Sequence, residues 1–145
     1  MVKIYSKGEI GKIAESGKIL AEVLNKIAQE AKIGASLEYL DGLAFKFIKE
    51  AGAEPAFLGY RPDGANRPYG ATICASINDA IVHGFPGDYK LKNGDILKID
   101  CGVKYQGFYS DSAITIGIGN ISKEAEFLIR TTKNALEEAI NIAII

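Results

Sequence analysis

Two aspartates, Asp100 and Asp111, lie eleven residues apart in the stretch KIDCGVKYQGFYSDSA. Strand-forming residues flank a turn-forming segment between them, which predicts a β-hairpin. With Gln106 and Gly107 at the turn centre, the two aspartates are diagonal neighbours on one face of the hairpin. With Tyr105 and Gln106 at the centre, they face each other directly. In either register two carboxylates meet on one patch, and a β-bulge would turn one of them away.

Two carboxylates side by side repel each other unless a shared proton or a bound cation lies between them. Ile99 and Ala113 make their surroundings partly apolar, which raises the cost of unpaired charge and favours a divalent metal ion. The structural alternative is that one aspartate caps a turn or pairs with Lys98 or Lys104. The aspartate pair alone leaves both interpretations open.

Composition limits the classes of protein that the chain can represent. It has 145 residues, 48% of them hydrophobic, which is enough for one domain with a sizeable core. The net charge of −1 gives no reason to expect a nucleic-acid partner. Cys74 and Cys101 are isolated and form neither a disulfide framework nor a zinc motif. The polar N-terminus and the lack of an apolar run of ~20 residues predict a cytoplasmic chain with no membrane span.

The elements that must position these residues follow from hydrophobic periodicity. Helices are predicted from Glu9 to about Glu30 and from Ser36 to Ala51, with Ser6 and Ser36 as N-caps. Glycine and proline are dense over 55–70, which predicts a loop. Strands are predicted at 71–76, in the hairpin at 96–103 and 108–116, and, as a further candidate, at 81–83. Ser122 begins a third helix with an apolar stripe, and the apolar run 141–145 beyond it is expected to need a partner.

The only histidine, His83, precedes the turn Gly84-Phe85-Pro86-Gly87. A place where a strand gives way to a loop is common for residues of functional sites. The imidazole can donate or accept a hydrogen bond near pH 7. A lone histidine is more often structural than catalytic, so both roles stay open on this evidence.

Two longer stretches, RPYGATICASINDAIVHGFP and NGDILKIDCGVKYQGFYSDSA, closely resemble the type I (bacterial-type) methionine aminopeptidases. The helix SGKILAEVLNKIAQEAKIG and the segment FLGY also match, so the resemblance covers the chain from about Ile10 onward. It implies an α+β fold, namely half of a pita-bread (creatinase/aminopeptidase) fold. Such a half has two N-terminal helices, an antiparallel sheet with a metal-binding hairpin, and a C-terminal helix.

The resemblance also implies an activity, the metal-dependent removal of the initiator methionine from nascent polypeptides. Asp100 and Asp111 match ligands of two divalent metal ions, which are Co, Mn, Fe or Zn. His83 matches a catalytic histidine that contacts the substrate without binding metal. An apolar and aromatic wall with a thiol suits the flexible thioether of methionine. The matching positions of that wall are Phe57, Tyr60, Tyr69 and Cys74.

The sequence departs from the family in several respects. Members have roughly twice this length, and their remaining metal ligands, one histidine and two glutamates, lie in the second half. Residues 1–145 are therefore expected to form an N-terminal half-domain whose second half is absent and which is inactive alone. The loop RPDGANRP between Tyr60 and Tyr69 is longer than in the simplest members, and Phe57 stands where a small residue is common.

Several partners follow as expectations. The substrate is the N-terminal methionine of nascent peptides, and the candidate macromolecular partners are the ribosome, a complementing half and a second copy of the chain. The alternative function is a non-catalytic half-domain that binds a peptide or a partner chain.

Overall fold

Short polar caps set the bounds of the two N-terminal helices in the computed structural model, which describes residues 3–143. Ser6 forms a capping box, in which its Oγ accepts from the backbone N–H of Glu9 and the Glu9 carboxylate accepts from the backbone N–H of Ser6. Ser36 Oγ accepts from the N–H of Tyr39 at 3.2 Å. Both predicted caps are confirmed. The described elements are α1 (Lys7–Glu30), α2 (Leu37–Glu50), β1 (Glu54–Pro55), β2 (Ile73–Ile77), β3 (Ile96–Tyr105), β4 (Phe108–Gly117) and α3 (Lys123–Ala143).

The sheet is antiparallel and built around β3. Strand β4 pairs with the full length of β3 along one edge. Along the opposite edge β2 pairs with residues 97–101 of β3, and β1 pairs with Val103 and Lys104. The short strand β1 lies at the start of the segment predicted to be loop. The backbone N–H of Ala56 also donates to the carbonyl of Gly102, which extends the contact with β3 by one residue. The sheet thus places β2, β3 and β4 side by side.

The two faces of the sheet differ in what covers them. Helices α1 and α2 pack on one face, where Leu97, Ile99, Cys101 and Val103 of β3 are fully buried. Side chains alternate along a strand, so Lys98, Asp100 and Gly102 point to the other face, here called the open face. Cys101 is one of these buried residues and therefore points away from its neighbour Asp100. The apolar core therefore holds the sheet from one side and leaves the other side available for polar chemistry.

One expectation needs correction. Residues 81–83 form no strand, because Asn78 and His83 both adopt left-handed backbone (φ +49° and +59°), which interrupts a ladder. The helix α3 begins as predicted, with Ser122 Oγ accepting from the N–H of Ala125. None of its described residues is buried, however, and apolar side chains such as Phe127, Leu128 and Leu136 are more than half exposed. Of the expected apolar run at the end, residues 144 and 145 lie outside the described residues.

No helix in the range 3–143 combines the length and apolarity that a membrane crossing requires.

Candidate metal centre

The turn of the β3–β4 hairpin fixes how the two aspartates meet. Tyr105 pairs with Phe108, which leaves Gln106 and Gly107 as a two-residue turn, and both have positive φ (+49° and +85°). That combination is the type I′ turn, whose twist matches that of the flanking strands. The first of the two predicted registers is thereby confirmed.

In this register Asp100 stands opposite Ala113, and Asp111 stands opposite Gly102. The two carboxylates are therefore diagonal neighbours on the open face. Asp100 is half-buried, whereas Asp111 is exposed. Burial raises the pKa of the Asp100 carboxyl, and repulsion from Asp111 raises it further. Such mutual repulsion is what a cation between two carboxylates would relieve.

The lysines that could neutralise the pair are engaged elsewhere. Lys98 Nζ donates to the backbone carbonyl of Asn78 at 2.5 Å, and Lys104 Nζ lies 3.1 Å from Glu54 Oε2. Among residues 3–143, no ion pair reaches Asp100 or Asp111. The structural alternative of pairing with Lys98 or Lys104 is therefore wrong.

His83 reaches this region because the next residue is a glycine pressed against β2. The backbone N–H of Ala75 donates to the Gly84 carbonyl at 2.8 Å, and the Gly84 N–H donates to Ser76 Oγ at 3.0 Å. A Cβ on Gly84 would lie only 2.8 Å from Ser76 Cα and would collide with the Ala75 carbonyl oxygen. His83 is exposed, and its charge acts to lower the pKa of Asp100. The loop thus brings the imidazole within electrostatic reach of Asp100.

A second set of hydrogen bonds holds the start of the same loop, and it involves residues that were not predicted to belong to the site. Asn78 Nδ2 donates to Asp95 Oδ1 at 3.0 Å, while Asn78 Oδ1 accepts from the N–H of Ile96 at 2.9 Å. Asp95 is buried and also accepts from Tyr89 Oη. Burial alone would raise the pKa of Asp95, but these hydrogen bonds outweigh it and lower the pKa. The available signal was the Asn-Gly-Asp turn directly before β3.

An apolar wall borders the carboxylates on the open face. The ring of Phe57 covers Gly102, where an added Cβ would lie 2.7 Å from Phe57 Cε1. Cys74 pairs with Asp100 across β2 and β3. Burial raises the pKa of the Cys74 thiol, and the charge of Asp100 adds to this rise, whereas a hydrogen bond with Tyr69 partly opposes it. Because the net effect is a raised pKa, the thiol is neutral at pH 7. Phe57 and Cys74 are therefore brought to the pair.

The two tyrosines predicted for this wall lie in different environments. Tyr69 is half-buried, its Oη donates to the Ile73 carbonyl at 2.9 Å, and its ring meets Phe85 edge-on at 5.9 Å. Burial raises the pKa of the Tyr69 phenol. Tyr60 is 62% exposed, although its backbone carbonyl accepts from the N–H of Tyr69. Tyr69 thus borders Cys74, whereas the Tyr60 side chain extends into solvent.

The donor set fits a divalent cation in part. Two carboxylates on one face offer up to four oxygens, the ligand type that Mn²⁺ and other hard or borderline ions accept. Within the described range, no group of three His, Cys, Asp or Glu side chains could hold a metal ion. Further ligands would be needed to complete the coordination of an ion held by Asp100 and Asp111.

Comparison with known proteins agrees with the fold. The chain belongs to metallopeptidase family M24, whose model matches residues 11–144. It is 43% identical over 145 residues to the methionine aminopeptidase of Clostridium perfringens and 44% identical over 144 residues to that of Aquifex aeolicus. These alignments cover 99% of this chain but 55% and 56% of the relatives, so the chain spans about half their length.

A solved structure gives the same result. The crystal structure of the methionine aminopeptidase from Thermotoga maritima matches with a TM-score of 0.89 and 34% identity, covering 97% of this chain and 54% of that one. The predicted family resemblance and the α+β, pita-bread-type fold are therefore confirmed. As a metallopeptidase family, M24 implies the use of divalent metal.

Proposed function

We propose that this chain supplies the N-terminal half of a methionyl aminopeptidase site, which removes the initiator methionine from nascent polypeptides. The observation that carries the proposal is the hairpin register, which puts Asp100 and Asp111 diagonally on one face without a neutralising lysine. The names and the identities of the relatives from Clostridium perfringens and Aquifex aeolicus support the substrate class.

In this proposal Asp100 and Asp111 hold two divalent ions, which are Co, Mn, Fe or Zn. One histidine and two glutamates complete the ligand set, whether they follow in the same polypeptide or belong to another. When bound, such a pair of ions polarises the peptide carbonyl and lowers the pKa of the attacking water. The two aspartates contribute charge, and their repulsion, which adds to the rise that burial causes in the pKa of Asp100, would be relieved on binding.

His83 acts on the substrate rather than on the metal. Its left-handed backbone and the tight contact of Gly84 with β2 hold the imidazole beside the carboxylates, where it can donate a hydrogen bond to the oxygen of the scissile amide. Four side chains receive the methionine. Three of them border the carboxylates, namely Phe57, Tyr69 and Cys74. The fourth, Tyr60, would turn inward from solvent when substrate binds.

The proposed unit is one N-terminal half-domain over residues 1–145, which acts in the cytoplasm, where both free thiols are stable. Its substrate is the N-terminal methionine of nascent peptides, and the ribosome is the proposed place of encounter. A complementing half is the proposed partner of the exposed α3 face and of β4, whose outer backbone edge has no strand partner within residues 3–143.

The test is release of methionine from a Met-Ala-Ser peptide in the presence of Mn²⁺ or Co²⁺. The chain is assayed alone and mixed with the second half of the Clostridium perfringens enzyme. We expect turnover only in the mixture, and the matched mixture with Asp111→Asn should be inactive. Turnover by the chain alone would contradict the proposed need for further ligands. A folded mixed complex that releases no methionine would contradict the proposed activity.

The second candidate function is a non-catalytic half-domain that binds a peptide or a partner chain, including a second copy. The exposure of Leu128, Leu136 and Ile140 on α3 favours it, because apolar faces of this kind usually mark interaction surfaces. The double variant Asp100→Ala and Asp111→Ala separates the two functions. Partner binding that survives the double variant, with no methionine release from any mixture, would favour the binding module.

A further inference from the structure

The loop between Tyr60 and Tyr69 is a closed excursion from the proposed methionine pocket. Its neck is fixed by two backbone bonds, from the N–H of Gly59 to the Tyr69 carbonyl and from the N–H of Tyr69 to the Tyr60 carbonyl, both 2.8 Å. Within the loop, Arg61 Nε donates to the Ala65 carbonyl at 3.0 Å, and the N–H of Ala65 donates to the Pro62 carbonyl. These bonds give the inserted residues a defined conformation.

A groove of about 560 Å³ runs between this loop and the segment that follows His83. Tyr69 and Phe85 form one wall with edge-on rings, and Pro62 and Pro68 contribute apolar surface from the loop. Tyr69 also borders Cys74, and Phe85 follows His83 by two residues. The groove therefore begins where the proposed methionine site ends.

Arg67 is the only charged side chain in the lining of this groove. Among the described residues it makes neither an ion pair nor a hydrogen bond, whereas Arg61 is used to brace the loop. A guanidinium beside an apolar channel is suited to a carboxylate, which it can bind with two parallel hydrogen bonds.

We propose that this groove binds the residues that follow the N-terminal methionine of the substrate and that Arg67 selects peptides with an acidic side chain there. The inference rests on the proposed function and deepens it, because it names the substrate class of the same site. An extended peptide advances about 3.4 Å per residue. A substrate peptide whose methionine lies beside His83 therefore enters the groove within its next few residues. Arg67 is a specificity-determining residue and takes no part in the chemistry.

The test compares two amidated peptides of equal shape, Met-Ala-Glu-Glu-Gly and Met-Ala-Gln-Gln-Gly, by NMR titration of the chain with and without Zn²⁺. The His83 imidazole, the only one in the chain, reports on the methionine site, and the Phe85 and Gly70 amides report on the groove. The titrated proteins are the wild type, Arg67→Gln and the matched control Arg130→Gln, which removes a cation on α3 outside the groove. Well-dispersed spectra of each variant verify folding.

We expect the wild type to bind the glutamate peptide about three- to tenfold more tightly than the glutamine peptide at low salt, as for a partly exposed charge pair. The preference should vanish in Arg67→Gln and at roughly 0.5 M salt, and persist in Arg130→Gln.

Three results would overturn the inference, and they separate it from the proposed function. Equal affinity for both peptides, with His83 shifted, refutes the acidic preference and leaves the proposed function standing. Shifts at Phe85 without any at His83 refute the continuity of the groove with the methionine site. Peptides that shift neither residue refute the groove as a peptide site of this chain, whereas the proposed function is decided by methionine release from the mixture with the second half.

Discussion

Replacing Asp111 with asparagine removes one of the two charges that lie diagonally across the hairpin while keeping the size of the side chain. Asp111 is exposed, so a water-like dielectric is the conservative choice for its interaction with a bound ion. A unit charge pair at ~4 Å in water is worth ~1 kcal/mol, and a divalent ion doubles this to ~2 kcal/mol. Metal affinity should therefore fall by at least ~30-fold.

The assay is titration with Mn²⁺, whose unpaired electrons broaden nearby NMR signals. Wild-type chain should lose the signals of Asp100, Asp111 and His83 together, at a midpoint typical of a site with few ligands, ~10⁻⁴–10⁻³ M. Asp111→Asn should need at least ~30-fold more Mn²⁺ for the same broadening. Asp88→Asn, which neutralises an exposed carboxylate that does not act on Asp100, is the matched control.

The same variant makes a second measurement possible on the apo chain. The pKa of Asp100 should fall in Asp111→Asn, because the repulsion that contributes to its rise is gone, although burial still holds it above its ordinary value. An unchanged midpoint for Mn²⁺ together with an unchanged Asp100 titration would contradict this prediction. It would mean that the two carboxylates do not share one patch.

Further predictions concern stability and the loop that carries His83. Folding raises the pKa of Asp100, so ionisation of this carboxyl lowers stability as the pH rises through the folded pKa. Asp100→Asn should therefore raise Tm at pH 7 and leave it unchanged below about pH 3, and a lower Tm at pH 7 would contradict this. Folding lowers the pKa of Asp95, so the stability that its carboxylate contributes is present above the unfolded pKa and is lost as the pH falls through the folded pKa. Asp95→Asn should lower the free energy of unfolding by about 1–3 kcal/mol at pH 7 and by less in acid. An equal loss at both pH values would show that the charge of Asp95 does not contribute. Gly84→Ala should destabilise the chain by about 1–3 kcal/mol and move the His83 imidazole signal, and a loss of stability without that movement would show that Gly84 does not position His83.

The hairpin could be predicted from the sequence because its determinants are local. The residues Gln106 and Gly107 tolerate the positive φ of a type I′ turn, and that turn sets the register of all ten residue pairs of β3 and β4. The sequence alone admitted a second register one residue away, with Tyr105 in the turn. The turn decides between them, because Gln106 and Gly107 are the residues that adopt the positive φ required at both central positions of a type I′ turn.

The position of His83 could not be derived in the same way, because it depends on contacts between residues distant in sequence. Gly84 is pressed against Ala75 and Ser76 of β2, and Asn78 is held by Asp95 from seventeen residues further along. The apolar residues Ile81 and Val82 suggested a strand over 81–83. Hydrophobic periodicity does not detect the left-handed backbone of Asn78 and His83. The side chains of Ile81 and Val82 are in fact exposed.

For α3 the sequence predicted the helix but not its environment. An apolar stripe identifies a face that favours burial, and it says nothing about which surface covers that face. In the described structure only Ala125 and Ile129 of the stripe are half-buried, and residues such as Leu128 and Leu136 are exposed.

The most direct test of the account is a crystal structure of the chain grown with Mn²⁺, in which anomalous scattering locates the metal. We predict manganese within about 2.0–2.3 Å of carboxylate oxygens from both Asp100 and Asp111 on the open face, with His83 beside the ion but not bound to it. Manganese bound elsewhere, or the two carboxylates on opposite faces of the sheet, would contradict the claim that these aspartates form one half of a divalent metal centre.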